Sequence, residues 1–567
     1  MNADGIWVQE MQQSAAPECR NLRIRHRADT IFLLVMGGRV ITMQTGFAML
    51  ESAFGRQMNS ANIMMKNTMD LLTGAIVFFF LGYWIAYGAS PHLDEEVDLD
   101  YAMWFCQFAY ATTAATINSG ALAGRVAFSS YLLLSVVLTG VIYPIIVRMT
   151  WGGGWLGEMG FVDFAGSAIV HLVGAVSAIV SASVCGPRIG RYENYTSGSR
   201  LWRLLMRQNK PDRLYQGPED EVEKAVWLPI KTLNNPVQIL FGVFILIIGF
   251  LAFNPASTFE TVDDADLLAA RATVVTLLFA SGGGLACVAW SMIRTRSTVV
   301  TIPDFATAVL GAMVCSCAGC HVISPGISLL LGFFAALLAL VSDVFLDRLM
   351  IDDPVSAVSV HGPPAILGVL AVPIFAKPHC QSDLKGLVYG GGAEAWDLLR
   401  IQFVGVLAII ALTGAMSYFT NIFIDILFGL RCGRAAELIG LDFVEHHYDD
   451  GSFSDNVHKQ AILVHSPIRE GLVQKVSSKL MHTPPKPYAG GTPTGSAYGS
   501  QQSLPISSTG SSPARPRGES GPDEVADLKG KLNRMLKQVD DLNAEVTSVK
   551  NHSRRRAHAV QQLLEAS

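Results

Sequence analysis

Two histidines are the residues of this chain best suited to passing protons. Each follows an aspartate by eight positions, Asp163 before His171 and Asp353 before His361, and each pair sits in a long apolar stretch. Aspartate is a good N-cap, Pro354 suits a first helical position, and at 1.5 Å per residue a histidine eight positions on lies ~12 Å deeper. An ionisable ring at mid-membrane depth is costly unless it lines a polar path, so the pair predicts the lining of a transport route. A neutral imidazole offers one donor and one acceptor, and two facing rings can therefore hydrogen-bond in a fixed order. Asp163 and Asp353 read as caps that hold the helix starts, not as general bases.

The elements that must carry these residues are membrane spans. The chain has 567 residues, 50% hydrophobic and only 16% charged, a composition of polytopic membrane proteins. Apolar runs near the ~20 residues a bilayer demands occur at 29–50, 69–89, 102–122, 127–148, 165–185, 236–255, 271–293, 304–320, 326–350, 355–375 and 400–429. The expected fold is thus all-α, with eleven transmembrane helices. Loops after the odd spans carry Arg56, Lys66, Arg125, Arg188, Arg191, Arg203, Arg207, Arg213, Arg294, Arg296 and Arg348, which places them in the cytoplasm and the N-terminus outside. Arg20, Arg23, Arg25 and Arg27 before the first span argue the other way and are outvoted. The two aspartate–histidine words begin the fifth and tenth spans, so an odd number of crossings inverts the second copy. That predicts an inverted five-helix repeat plus an eleventh helix, with the histidines meeting near the midplane.

No apolar leader opens the chain, so the first span is expected to direct insertion. Residues 1–28 read as an extracellular segment, 29–430 as the transmembrane domain, 431–482 as a cytoplasmic tail, and the Pro/Gly/Ser/Thr-rich 483–523 as a linker. From Val525 to Val549 apolar residues alternate spacings of three and four, which predicts a C-terminal coiled coil over 524–567. Cys315, Cys317, Cys320 and His321 imitate a metal site, but helical context makes them buried thiols beside a histidine. Neither cofactor, metal, enzymatic activity nor nucleic-acid partner is expected.

Gly46–Glu51, Asn62–Asn67, Phe108–Ala121, Trp151–Gly154, Asp163–Gly166, Phe253–Ser257, Asp352–Pro354 with Val360–Gly362, and Gly440–Asp442 with Glu445 and His446 resemble, in order, the signatures of the ammonium transporter branch of the Amt/Mep/Rh family. The resemblance covers about residues 28 to 446. It implies a homotrimer in the plasma membrane with one path per subunit, moving ammonium or ammonia, with methylammonium left open as a second cargo and lipid as surroundings. It further implies recruitment by Tyr110, Trp151 and Ser257, a gate of Phe253 and Tyr110, and a pore lined by His171 and His361. Cation–π contact with such aromatic faces contributes up to about 2 kcal/mol when desolvated.

Moving an intact ammonium ion through an apolar pore costs far more than moving neutral ammonia. The ion is therefore expected to shed its proton near the vestibule, with the base passing the histidines and the proton following or not. The chain departs from the family at Tyr110, where phenylalanine is usual, at Arg39 inside the first span, at Ala256 in place of a glycine, and at Pro363-Pro364, expected to cost helix hydrogen bonds. Two alternatives are an ammonium sensor or scaffold that signals to cytoplasmic partners through its tail, and a Rhesus-like gas channel. Trp151 and Ser257 argue against the second.

Overall fold

The computed structural model describes residues 17–88, 101–192, 234–260, 265–379, 382–433, 436–437, 440–446 and 448. The linker at 483–523, the heptads beyond 524 and the basic residues Arg203, Arg207 and Arg213 lie outside these residues.

Among the described residues eleven helical rods follow one another: α1 (Pro17–Phe54), α2 (Gln57–Tyr87), α3 (Tyr101–Leu122), α4 (Phe128–Met149), α5 (Ser167–Cys185), α6 (Pro236–Ala256), α7 (Ala265–Thr295), α8 (Ile302–Ser316), α9 (Pro325–Arg348), α10 (Ala357–Phe375) and α11 (Gly392–Leu427), then a short α12 (Leu441–His446). Among the described residues nine helices are long and apolar enough to cross a membrane. The remaining two rods, α3 and α8, stand where the third and eighth spans are expected. The α3 rod carries Gln107, Thr112, Thr113, Thr116, Asn118 and Ser119, all buried, and α8 has only 15 residues. Both pack inside the bundle, where polar side chains find partners instead of lipid.

Large apolar side chains point outward, among them Phe244 (67% exposed), Phe419 (70%), Phe423 and Phe334. Water would penalise so much exposed apolar surface and a hydrocarbon layer does not, so these faces are lipid or subunit contacts. Arg39 stands on such a face of α1, near the exposed Leu34 and Val35. Within the bundle small residues set the closest approaches, as membrane helices require. A methyl group on Gly242 of α6 would lie 2.8 Å from the Gly46 carbonyl oxygen of α1, and one on Gly332 of α9 would meet the backbone of Phe279 on α7.

Three expectations need correction. Pro354 does not begin a helix: α10 starts at Ala357, and Pro354 lies in the preceding turn. Pro363 and Pro364 do not cost interior hydrogen bonds either. The helix breaks at Gly362 (φ −83°, ψ −81°) and restarts at Pro363, where a missing N–H is harmless. Lys66 is no loop residue, because α2 begins about ten residues early. Its ammonium is buried and donates to the Val126 carbonyl between α3 and α4 at 2.8 Å, so the cation is satisfied inside the protein instead of by water.

Several loop cations are also structural. Arg125 is 0% exposed; it donates to the carbonyls of Gly186 and Asp352, both at 2.7 Å. Its guanidinium lies 3.8 Å from the Asp352 carboxylate, which Arg188 holds at 2.8 Å and Arg191 at 3.4 Å. Burial alone would push the Asp352 carboxyl up, but Arg188 and then Arg125 outweigh it and hold it well below the usual carboxylate range. A lowered value keeps the group charged, and its stabilisation whole, at every pH above the ordinary carboxylate value near 4. The segment after α11 closes this end. Arg431 pairs with Glu437 at 2.8 Å, Glu437 accepts from the Ile189 N–H at 2.7 Å, and Asp442 accepts from Ala61 and Asn62 N–H at 3.0 and 2.7 Å.

Replacing Asp352 with Asn leaves Arg125 buried without its counter-charge, and breaking a buried pair costs about 3–5 kcal/mol. Thermal unfolding of the purified full chain should show a clearly lowered midpoint for D352N; an unchanged midpoint contradicts the assignment.

Candidate conduction site

The site is built where α5 and α10 begin inside the bundle. Ahead of α5 the chain runs as a loop pinned to α8 and its exit: Phe164 N–H donates to Ala318 O at 3.2 Å and Ala165 N–H to Cys317 O at 2.8 Å. Gly166 then takes φ +90°, open to glycine at little cost. The Asp163 carboxylate accepts three backbone N–H groups, from Ser167 and Ala168 at 2.7 Å and Ile169 at 2.9 Å. Asp353 does the same for Ala357 at 2.9 Å and Val358 at 2.7 Å. The two aspartate–histidine words thus fold alike at their starts, although the helix proper begins four residues after each aspartate.

They diverge afterwards. Ser167–Leu172 is a π-helical turn, in which His171 N–H reaches the Gly166 carbonyl at 3.1 Å. Such turns are rare and recur at functional sites, because the extra residue per turn re-aims a side chain. His361 is instead the last residue of the five-residue helix that Gly362 interrupts. By these two irregularities the imidazoles are brought face to face. His361 Nδ1 and His171 Nδ1 are 3.1 Å apart, ring centroids are 5.1 Å apart and planes differ by 20°. One ring must donate and the other accept, so the pair shares a single proton at this contact.

Above the pair stands a stack of aromatic rings. The Phe253 centroid is 5.3 Å from His171, Tyr110 is 4.5 Å from Phe253, and Trp151 is 6.0 Å from Tyr110. Tyr110 donates to the Phe253 carbonyl at 2.9 Å and lies 3.1 Å from the Ser257 hydroxyl, while Trp151 Nε1–H donates to Asp163 O at 2.9 Å. Tyr110, Phe253, His171 and His361 are buried, whereas Trp151 and Ser257 are half-buried. Six of the eight residues singled out in the sequence therefore fall on one column, with Trp151 and Ser257 at its mouth, and the other two, Asp163 and Asp353, cap the helix starts beside it. The column is closed: no ring can be passed without moving.

The sequence reading missed Phe250, Phe47 and Asn254. Phe250 stacks on His171 at 5.4 Å with a 26° interplanar angle, and Phe47 lies 6.1 Å from His361. Asn254 holds α6 in place by donating to Thr276 at 2.6 Å and Ser316 at 2.8 Å. The spacing Phe250–Phe253–Asn254 places all three near one helix face, a signal obscured by a uniformly apolar segment. Cys315, Cys317 and Cys320 are buried in the core, and His321 stacks on Phe164 at 4.1 Å.

A multi-pass helical bundle with a sealed aromatic and imidazole column defines a membrane protein of the transporter class. A family model described as Ammonium Transporter Family matches residues 31–205 and 228–450. A putative ammonium transporter of Synechocystis sp. is 34% identical over 441 residues, 75% of this chain and 89% of that protein. Ammonium transporter Amt2 of Archaeoglobus fulgidus is 31% identical over 448 residues, covering 74% and 87%. The chain belongs to the ammonium transporter family. Among solved structures it is similar to one described as a sensor Amt protein, at 25% identity and a TM-score of 0.63 over 75% of this chain and 99% of that one. It also shares its fold with Candida albicans Mep2, at 19% identity and a TM-score of 0.58 over 72% and 87%.

Tyr110→Phe keeps the ring and removes two hydrogen bonds, each contributing about 0.5–1.5 kcal/mol. Transport should persist with apparent affinity changed by about a hundredfold at most, read from concentration-dependent uptake. Complete loss of transport would show that the hydroxyl is indispensable and contradict a gate made by the ring.

Proposed function

We propose that this chain carries ammonium across a plasma membrane by taking the proton off at the Trp151 mouth, passing ammonia between Tyr110 and Phe253, and leading it along the His171–His361 pair. The observation that carries this reading is the 3.1 Å contact between two buried imidazoles at the foot of a closed ring column. A hydrated cation is too costly to desolvate in such a column, whereas the neutral base escapes most of that cost. The residues act in order. Trp151 and Ser257 offer an aromatic face and a hydroxyl to a cation at the mouth, and Asp163, just behind Trp151, adds a favourable negative charge without direct contact. The Tyr110 and Phe253 rings swing to admit a small uncharged molecule. His171 and His361 give that molecule alternating donor and acceptor nitrogens and offer the released proton a parallel route.

The wider arrangement in this reading is an eleven-span homotrimer with one path per subunit, its N-terminus outside and its tail in the cytoplasm. The coiled coil at 524–567 joins chains already held together, where tethering makes the local concentration high.

His171→Ala or His361→Ala removes one partner and leaves the other ring unpaired. Ammonium-evoked current should fall steeply in each single variant while labelled methylammonium uptake falls less and the protein still reaches the membrane. Wild-type values of both quantities in both variants would overturn the reading. Trp151→Leu should weaken apparent ammonium affinity by about tenfold or less, the size of a 1–2 kcal/mol cation–π contact. Unchanged affinity in uptake assays would move recruitment elsewhere.

A further inference from the structure

The described bundle holds a second acidic cluster that the histidine column does not use. Glu51, near the end of α1, is 1% exposed. Its Oε2 accepts from the Asn67 amide at 3.1 Å and from the Ser119 hydroxyl at 2.9 Å. Its Oε1 is equally buried and has no hydrogen-bond partner. Glu51 lines a cavity of about 20 Å³ whose mostly apolar wall also includes Phe47, Thr116, Gly120, Val355 and His361. A volume above roughly 10–15 Å³ with polar groups at its edge is enough for one water. The Thr116 hydroxyl, on the same wall, lies 2.9 Å from the Asp70 carboxylate and 2.5 Å from Gln44 Oε1, and Ser135 donates to Asp70. The charged or titratable groups facing Glu51 are Asp70 and Lys66 of α2, Tyr131 of α4 and His361 of α10. An unpaired carboxylate oxygen sealed in a membrane bundle is expensive. Gly120 keeps the space open: a methyl group there would run into Val355 and lie 3.6 Å from Glu51 Oε1.

We propose that Glu51 is a proton-relay residue, which exchanges a proton with His361 through a single water in this cavity and so draws the proton aside from the path of ammonia. The step balances without a co-reactant: the imidazolium of His361 gives a ring proton to the water, the water gives one of its own to Glu51 Oε1, and no other bond changes. The relay rests on the transport reading above, since it needs a proton to arrive at His361. Asn67 and Ser119 fix the other carboxylate oxygen, so the mobile proton has one seat.

The test uses the full chain in proteoliposomes, measuring ammonium-evoked current beside neutral ammonia flux down its own gradient. Glu51→Gln keeps the shape and removes the exchangeable acid. Its current should fall about tenfold or more, the scale of a lost proton-transfer group, with neutral flux within about twofold. Glu51→Asp should restore part of the current. Wild-type current in E51Q overturns the relay, as does an equal fall of current and flux that Asp fails to rescue, because that is the mark of a purely structural residue. If E51Q does not reach the membrane, Gly120→Ala decides, since its methyl group takes the water's space: lost current with retained flux supports the relay and unchanged current overturns it. Wild-type protein that moves ammonia without current removes the relay and leaves transport standing, whereas no flux of either kind removes the transport reading itself.

Discussion

Everything in this bundle answers to the cost of keeping two imidazoles in a dry, apolar interior. Each ring alone would bury a donor and an acceptor without partners, a penalty of about 1–3 kcal/mol per group. Facing one another at 3.1 Å they satisfy one nitrogen each. Phe250, Phe253 and Phe47 pack around the rings, which leaves few alternative partners. His171 still has an unpartnered Nε2. An orphaned polar atom in so closely packed a place is what a passing hydrogen-bonding cargo can use.

That requirement explains the backbone. A regular helix from Asp163 or Asp353 would set the histidines at a depth and angle dictated by helix geometry alone. The chain instead spends its regularity there, with a left-handed glycine and a π turn before and through His171, a left-handed Ser356 and a helix break at Gly362 around His361. Such distortions persist only where the surroundings enforce them. The Asp163 and Asp353 carboxylates, five backbone N–H bonds between them, supply that enforcement. At the far side of α10 the Asp352 carboxylate is gripped by three arginines, and Asp352 directly precedes Asp353. The position of His361 is therefore tied through a few residues to Arg125 and Arg188, and through Ile189 and Glu437 to the segment after α11. This is a physical connection between the pore and the post-membrane segment, made of buried charges.

Much of this was legible beforehand. The spacing of aspartate and histidine, repeated, singled out the two rings that the fold brings into contact, and apolar run length located the rods to within a few residues at most ends. What stayed hidden has physical causes. Where α2 begins was misread because Lys66 and Asn67 look like loop residues, and only the fold shows Lys66 capturing the Val126 carbonyl. Pro354 and the Pro363-Pro364 pair were misassigned because proline fixes a local angle without telling whether a helix starts, stops or restarts beside it. Arg125 and Arg188 entered as topological charges, yet their partner Asp352 is more than 160 residues away in sequence, which no local pattern reveals. The Glu51 cavity is invisible for the same reason: its walls come from α1, α3, α6, α8 and α10 and the turn before α10. The resemblance named the substrate class, while the closed state of the ring column emerged only with coordinates.

The central claim is that proton and base travel separately, and a solvent isotope comparison addresses it most directly. Ammonium-evoked current is recorded for the full chain in proteoliposomes in light and heavy water under the same gradient, with viscosity matched. If the proton leaves the cargo and moves along the histidines, breaking and forming N–H bonds, current should fall in heavy water well beyond the viscosity control. Equal currents in the two solvents would mean that the ion crosses intact, and would contradict the account.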